Sequence, residues 1–239
     1  MASEMYSAGI DRLTHQPLSF SVSETTEGVH IHIIDAELMG KGEKEKKDLY
    51  IEGVQNNGII NHYEYIINSE GTIEIRHVLK PEGKMPLWFP RIGLTLTVSD
   101  ALDQVKWYGR GPQENYPDRK TGYPMGIYAS TVQAMYEPYL MPQDYGLRTD
   151  VRWLQLTTDK GIGLQFKMNE WFNFNIYPYS TDNLTKAMYT YQLQKQKGMT
   201  LNLDYATTGV GCTARGVFGA YKAMPQEYRR TISIRPMMK

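Results

Sequence analysis

The chain has 239 residues, long enough to bury a sizeable core, and its length suits a single domain of the all-β kind. Lysine plus arginine and aspartate plus glutamate number 26 each, so there is neither a basic excess for nucleic acid nor an acidic disordered tail. Its one cysteine, Cys212, excludes an intrachain disulfide, and no stretch approaches the ~18 consecutive apolar residues of a membrane span.

The opening Met1-Ala2-Ser3-Glu4-Met5-Tyr6 has no basic region followed by an apolar run, so no signal peptide is visible. Val29-His30-Ile31-His32-Ile33-Ile34 alternates and is rich in β-branched residues, which predicts a strand. His30 and His32 then share one face. Two imidazoles bind a metal only if a third ligand converges; the sequence identifies none, so both read as strand residues and no metal site is assigned.

Residues 40–47 are charged and predict a solvated turn. Residues 62–67 and 72–79 read as paired strands joined through the polar, Gly-ended link Asn68-Ser69-Glu70-Gly71. Further strands are predicted at 91–98, 104–108, 151–157, 163–167, 172–176, 200–205 and 230–235, with a short helix over 180–188 started by Ser180. Many short strands separated by turns predict an antiparallel β-sandwich. No long linker or repeat divides the chain, so residues 1–239 read as one domain. Tyrosine reaches 18, a residue that suits half-buried strands and sugar-contacting surfaces alike. Cys212 lies among Gly209, Gly211 and Thr213 and reads as a small packed residue.

The densest chemistry sits in Trp107-Tyr108-Gly109-Arg110-Gly111-Pro112-Gln113-Glu114-Asn115-Tyr116-Pro117-Asp118-Arg119. Carboxylates, arginines, amides and aromatic rings punctuated by Gly and Pro predict an ordered loop. Arg110 and Arg119 are expected to pair with Glu114 and Asp118, and Asp144 with Arg148 across a turn eased by Gly146.

This run closely resembles the W-x-G-x-G-P-x-E-N-Y-x-D-R signature of the C-terminal, small-chain domain of glycoside hydrolase family 2 β-galactosidases. Ala8-Gly9-Ile10-Asp11-Arg12-Leu13 resembles the family's A-G-L-D-R-L, and Phe89-Pro90-Arg91-Ile92-Gly93-Leu94 its P-R-I-G-L strand. Tyr139-Leu140-Met141-Pro142-Gln143-Asp144-Tyr145-Gly146-Leu147-Arg148 is similar to Y-x-x-P-x-E-x-G-x-R, with Asp144 for the commoner Glu. Leu201-Asn202-Leu203-Asp204, trailed by Gly209-Val210-Gly211, resembles L-N-I-D with its G-x-G. An N-F-W-R-A-P-x-D-N-D-like opening has no match here, so the chain is expected to lack the family domain's first strands.

The resemblance implies a large supersandwich of the galactose mutarotase-like type. It also implies an accessory role beside a (β/α)-barrel that holds the catalytic carboxylates of retaining hydrolysis of terminal β-galactosides. No catalytic residue is assigned here. Met199, Thr200, Asn202 and Asp204 are the expected substrate-rim residues, with Thr200 where some members carry a sugar-stacking tryptophan. Trp107, Gly111, Pro112, Gln113, Glu114, Asn115, Tyr116, Asp118, Arg119, Asp144, Gly146 and Arg148 are expected to shape interdomain loops. Implied partners are the remaining domains of the parent enzyme, a galactoside at the rim, and further copies of the parent. No cofactor is expected in this domain; the magnesium and sodium of parent enzymes are implied to sit mainly elsewhere. A carbohydrate-binding module is the alternative. An aldose 1-epimerase-like enzyme ranks below it, since no acid and base set flanking a sugar ring is recognisable.

Overall fold

The computed structural model describes residues 5, 8–39, 57–212 and 216–238; the predicted turn over 40–47 lies outside the described residues. Strands β1 (Thr14–Thr25), β2 (Gly28–Leu38), β3 (Gly58–Ile67) and β4 (Ile73–Glu82) form an antiparallel meander. They are followed by β5 (Arg91–Val98), β6 (Gln104–Arg110), β7 (Met125–Thr131) and β8 (Arg148–Thr157). Then come β9 (Gly163–Tyr177), the helix α1 (Thr181–Lys186), β10 (Met199–Thr207) and β11 (Tyr228–Met237). All described strand pairs are antiparallel, in the order β1-β2-β3-β4-β11-β9-β8-β6-β7, with β10 between β9 and β5.

Strand β9 is the junction. Its first half pairs with β11 (Phe166↔Ile234) and its second with β10 (Asn175↔Asn202), while β8 follows its other edge. The meander folds across this region: β4 and β10 are not ladder neighbours, yet His77 Nδ1 lies 2.7 Å from the Tyr205 hydroxyl. Between the layers Trp107, Leu154, Leu156, Phe166, Phe172, Phe174, Leu201, Leu203 and Ile232 are all but inaccessible. Each such side chain contributes roughly 1.5–3 kcal/mol by leaving water.

The predicted hairpin forms as expected. Asn68 Oδ1 accepts from the amides of Glu70 and Thr72, and Gly71 takes the left-handed φ of 75° that closes it. The predicted helix start also holds: the Ser180 hydroxyl accepts from the Asn183 amide. The segments 163–167 and 172–176, read as two strands, are one continuous β9, because Met168-Asn169-Glu170-Trp171 contains no chain breaker. Two strands were not legible. β1 is almost wholly exposed and carries Pro17, and β7 has one edge open, so neither shows a strong buried alternation. Cys212 is exposed rather than packed, next to Gly211 with its φ of 65°.

Candidate functional site

Strand β10 carries different chemistry on its two faces. Met199, Leu201 and Leu203 enter the core, while Thr200, Asn202 and Asp204 line a buried polar face. Register brings Thr95 of β5 and Asn175 of β9 to either side of Asn202. The Thr95 hydroxyl donates to Asn202 Oδ1 at 2.7 Å, and Asn202 Nδ2 donates to Asn175 Oδ1 at 2.8 Å and to the Tyr177 hydroxyl at 3.1 Å. Thr200 donates to the Tyr179 carbonyl at 2.8 Å and accepts from Gln196. All four expected rim residues are therefore buried beneath other groups of this chain.

Arg91 ties this face to the loop above it. Its guanidinium lies 3.0 Å from Asp204 and 3.4 Å from Asp144. Gly93, two residues on along β5, has room for no side chain: a Cβ would lie 2.3 Å from the Leu203 carbonyl oxygen. Asp144 also accepts from Asn175 Nδ2 at 2.9 Å and from the Tyr177 hydroxyl at 3.1 Å. Burial pushes the Asp204 carboxyl up to about 6, with Arg91 opposing the rise. The Arg91 guanidinium is itself held above its ordinary range: burial opposes this, but Asp204 and Asp144 outweigh it.

The signature loop packs beside this cluster. Trp107 is fully buried against Tyr128 and Phe174, and its Nε1 donates to the Arg110 carbonyl at 3.0 Å. The Gly111–Pro112 peptide is cis, and a Cβ on Gly111 would meet Tyr128 at 2.8 Å and Trp107 at 3.0 Å. Asn115 Oδ1 accepts from the Thr149 amide at 3.1 Å and hydroxyl at 2.5 Å, and Asn115 Nδ2 donates to the Gln113 carbonyl at 3.1 Å.

The expected local ion pairs do not form. Glu114 accepts from the Tyr116 hydroxyl at 3.0 Å, the Gly146 amide at 2.8 Å and the Tyr139 hydroxyl. Asp118 accepts from the amides of Val210 at 3.1 Å and Gly211 at 2.7 Å, and Arg119 donates to the Gly211 carbonyl at 3.1 Å. Arg110 pairs instead with Asp150 at 2.6 Å. Asp144 and Arg148 also part, because Gly146 at φ 76° turns the chain between them. Arg148 lies over the Trp107 ring and donates to the carbonyls of Pro112 and Gly146 at 3.0 and 2.9 Å. Carboxylates close in sequence are thus committed to hydroxyls and amides of different loops, an arrangement that locks loop shape.

Sequence reasoning missed Asp150 and the asparagines of β9, and gave Tyr139 no role beyond its place in a motif. Asp150 is the one described non-glycine residue at positive φ, 57°, where it accepts from both Arg110 and Lys120. Those hydrogen bonds hold its carboxyl below the ordinary range against the opposing effect of burial. The alternation Asn173, Asn175, Tyr177 was the available signal for a polar β9 face. Near Asp150 a cleft of about 560 Å³ opens, lined by Lys120, Asn173, Trp171, Tyr221 and Arg230 among others. On the outer meander face, Glu64 brings a carboxylate to His30 and His32.

The family described as Beta galactosidase small chain matches residues 5–234. A β-galactosidase of Priestia megaterium (strain DSM 319 / IMG 1521) is 38% identical over 147 residues, covering 62% of this chain and 14% of that protein. One from Vibrio cholerae serotype O1 is 39% identical over 122 residues, covering 51% and 11%, and one from Aeromonas hydrophila is 28% identical over 208 residues, covering 85% and 18%. The chain thus spans a small fraction of the length of the curated relatives it matches. Among solved structures, an aldose epimerase homologue from C. elegans aligns over 92% of this chain and 69% of its own at 11% identity and a TM-score of 0.45. A putative aldose 1-epimerase from Escherichia coli K12 aligns over 93% and 69% at 7% identity and a TM-score of 0.39. From its match over residues 5–234, the chain belongs to the β-galactosidase small-chain family.

Proposed function

We propose that this chain is the C-terminal accessory domain of a β-galactosidase and has no turnover of its own. On this reading the parent hydrolyses terminal β-galactosides with retention, using carboxylates of another domain. Such a pair must stand about 5–5.5 Å apart across the scissile bond, free to exchange a proton and to attack. The observation that carries the reading is the commitment of Glu114 and Asp118 to tyrosine hydroxyls and backbone amides.

The loop over 139–147 would face the parent's barrel, with Leu140 and Met141 exposed on it, while Thr200, Asn202 and Asp204 support it from behind and Met199 anchors β10 in the core. The parent's magnesium and sodium would lie in other domains. Those hard ions take oxygen donors, whereas each group of converging donors among the described residues includes an imidazole. The test mixes this chain with a parent enzyme lacking the domain and follows chromogenic galactoside cleavage. Activity should appear in the mixture and not with this chain alone; enzyme-like turnover by this chain alone would refute the reading.

The cleft beside Asp150 favours carbohydrate binding as a second reading. Trp171 is 59% exposed there, and polar groups of Lys120, Asn173 and Arg230 stand around it. An NMR titration with galactose separates the two sites: shifts around Trp171 report the cleft, and shifts over 199–204 report the rim.

A further inference from the structure

We propose that His30, His32 and Glu64 form a binding site for a divalent transition metal of the zinc class on the outer face of the meander. The histidines project from the same side of β2, and antiparallel register sets Glu64 of β3 directly opposite His32. The third donor that β2 cannot supply thus comes from its neighbour.

The three donor atoms lie within 4.8 Å of one another. Glu64 Oε1 is 3.3 Å from His30 Nδ1 and 3.9 Å from His32 Nε2. A tetrahedral ion with bonds of about 2.0–2.1 Å holds its donors about 3.3 Å apart, so small ring rotations close the site. His32 is half exposed and free to make that adjustment. His30 is largely buried, and its Nε2 has no hydrogen-bond partner among the described residues, so no second bond opposes its rotation.

The surroundings suit an ion. Arg76 donates to Glu64 Oε2 at 3.1 Å and is itself held by Glu74 at 2.8 Å, which fixes the carboxylate and leaves Oε1 for the metal. Across the sheet, β1 sets only Ser23 and Ser21 beside His30 and His32. These small residues leave the remaining coordination positions to water. Two imidazoles and a carboxylate favour zinc, nickel or copper over magnesium or calcium. A second group, His15 with Asp35 and Glu37, faces the other side of β2, and its histidine is 66% exposed.

The site is independent of the β-galactosidase reading, and its test uses the untagged chain with zinc chloride. Calorimetry should find one ion per chain, with cobalt giving the visible absorption of a tetrahedral centre. His32→Ala, at a half-exposed position that leaves folding intact, and Glu64→Gln should each weaken binding at least ~10-fold. His15→Ala should leave it unchanged, and saturating zinc should raise the melting temperature of the wild-type chain but not of His32→Ala. Absence of binding below millimolar zinc would overturn the proposal, as would binding that survives His32→Ala and Glu64→Gln or is lost in His15→Ala.

Discussion

Arg91 on β5 and Asp204 on β10 meet at 3.0 Å, with the carboxylate almost wholly out of contact with water and the guanidinium partly exposed. That asymmetry makes the aspartate the dependent partner. Arg91→Met would strand a buried charge, and breaking such pairs typically costs about 3–5 kcal/mol. Urea unfolding should place Arg91→Met near that loss. Adding Asp204→Asn should restore part of it, because the stranded charge goes; equal stability of the single and double variants would count against this account.

Two buried groups should give opposite pH slopes. Asp204 has a folded value of about 6 against an ordinary 3.8, so its favourable contribution is complete below pH 3.8 and is lost as pH rises through 6. Burial, with a smaller effect from His62, holds His77 down to about 4 against an ordinary 6.5. Its contribution is complete above pH 6.5 and is lost as pH falls through 4. Each swing amounts to about 3 kcal/mol at ~1.4 kcal/mol per pH unit. Stability measured from pH 4 to 7 should fall less with rising pH in Asp204→Asn than in the wild type. In His77→Gln it should fall more, and parallel curves for all three would contradict both assignments.

Gly209 tests the docking of the signature loop. A Cβ there would lie 2.4 Å from the Asp118 carboxyl carbon, the group that accepts from the Val210 and Gly211 amides. Gly209→Ala should destabilise by roughly 1–3 kcal/mol, the usual effect of overpacking. Hydrogen exchange should quicken first at the amides of Val210 and Gly211. Unchanged protection there would mean that the loop holds without Asp118.

Trp171 tests the cleft. Arg152 lies 3.5 Å from the centre of its ring, so the indole is already steadied by a cation. If saccharides use the ring as a platform, Trp171→Ala should abolish galactose-induced shifts around Asp150 and Asn173. Arg152→Ala should weaken them several-fold. Shifts that persist in Trp171→Ala would remove the ring from the site.

The parts of this architecture legible in the sequence are those written locally. The β3–β4 hairpin announced itself through Asn68 and Gly71, β2 through its alternation, and the signature loop through motifs that match the family in order. Partner choice was not local. Arg110 has Glu114 close by in sequence but meets Asp150, and Asp144 bypasses Arg148 for Arg91. These outcomes depend on which strands become neighbours and on the turn at Gly146, neither of which spacing reveals. The same applies to His30 and His32: their shared face was readable, whereas the arrival of Glu64 required the β2–β3 register.

The ladder of β11 has a consequence for how this chain assembles. Among the described strands, β4 reaches β9 through β11 alone, so residues 228–237 join the two ends of the sheet. During synthesis the meander and the β5–β10 region emerge first, each with an open edge that fits the same late strand. Until that strand arrives, a β11 from another molecule can fill either edge, making strand exchange between nascent chains a competing route. Rapid local collapse followed by slow long-range closure is the expected folding signature.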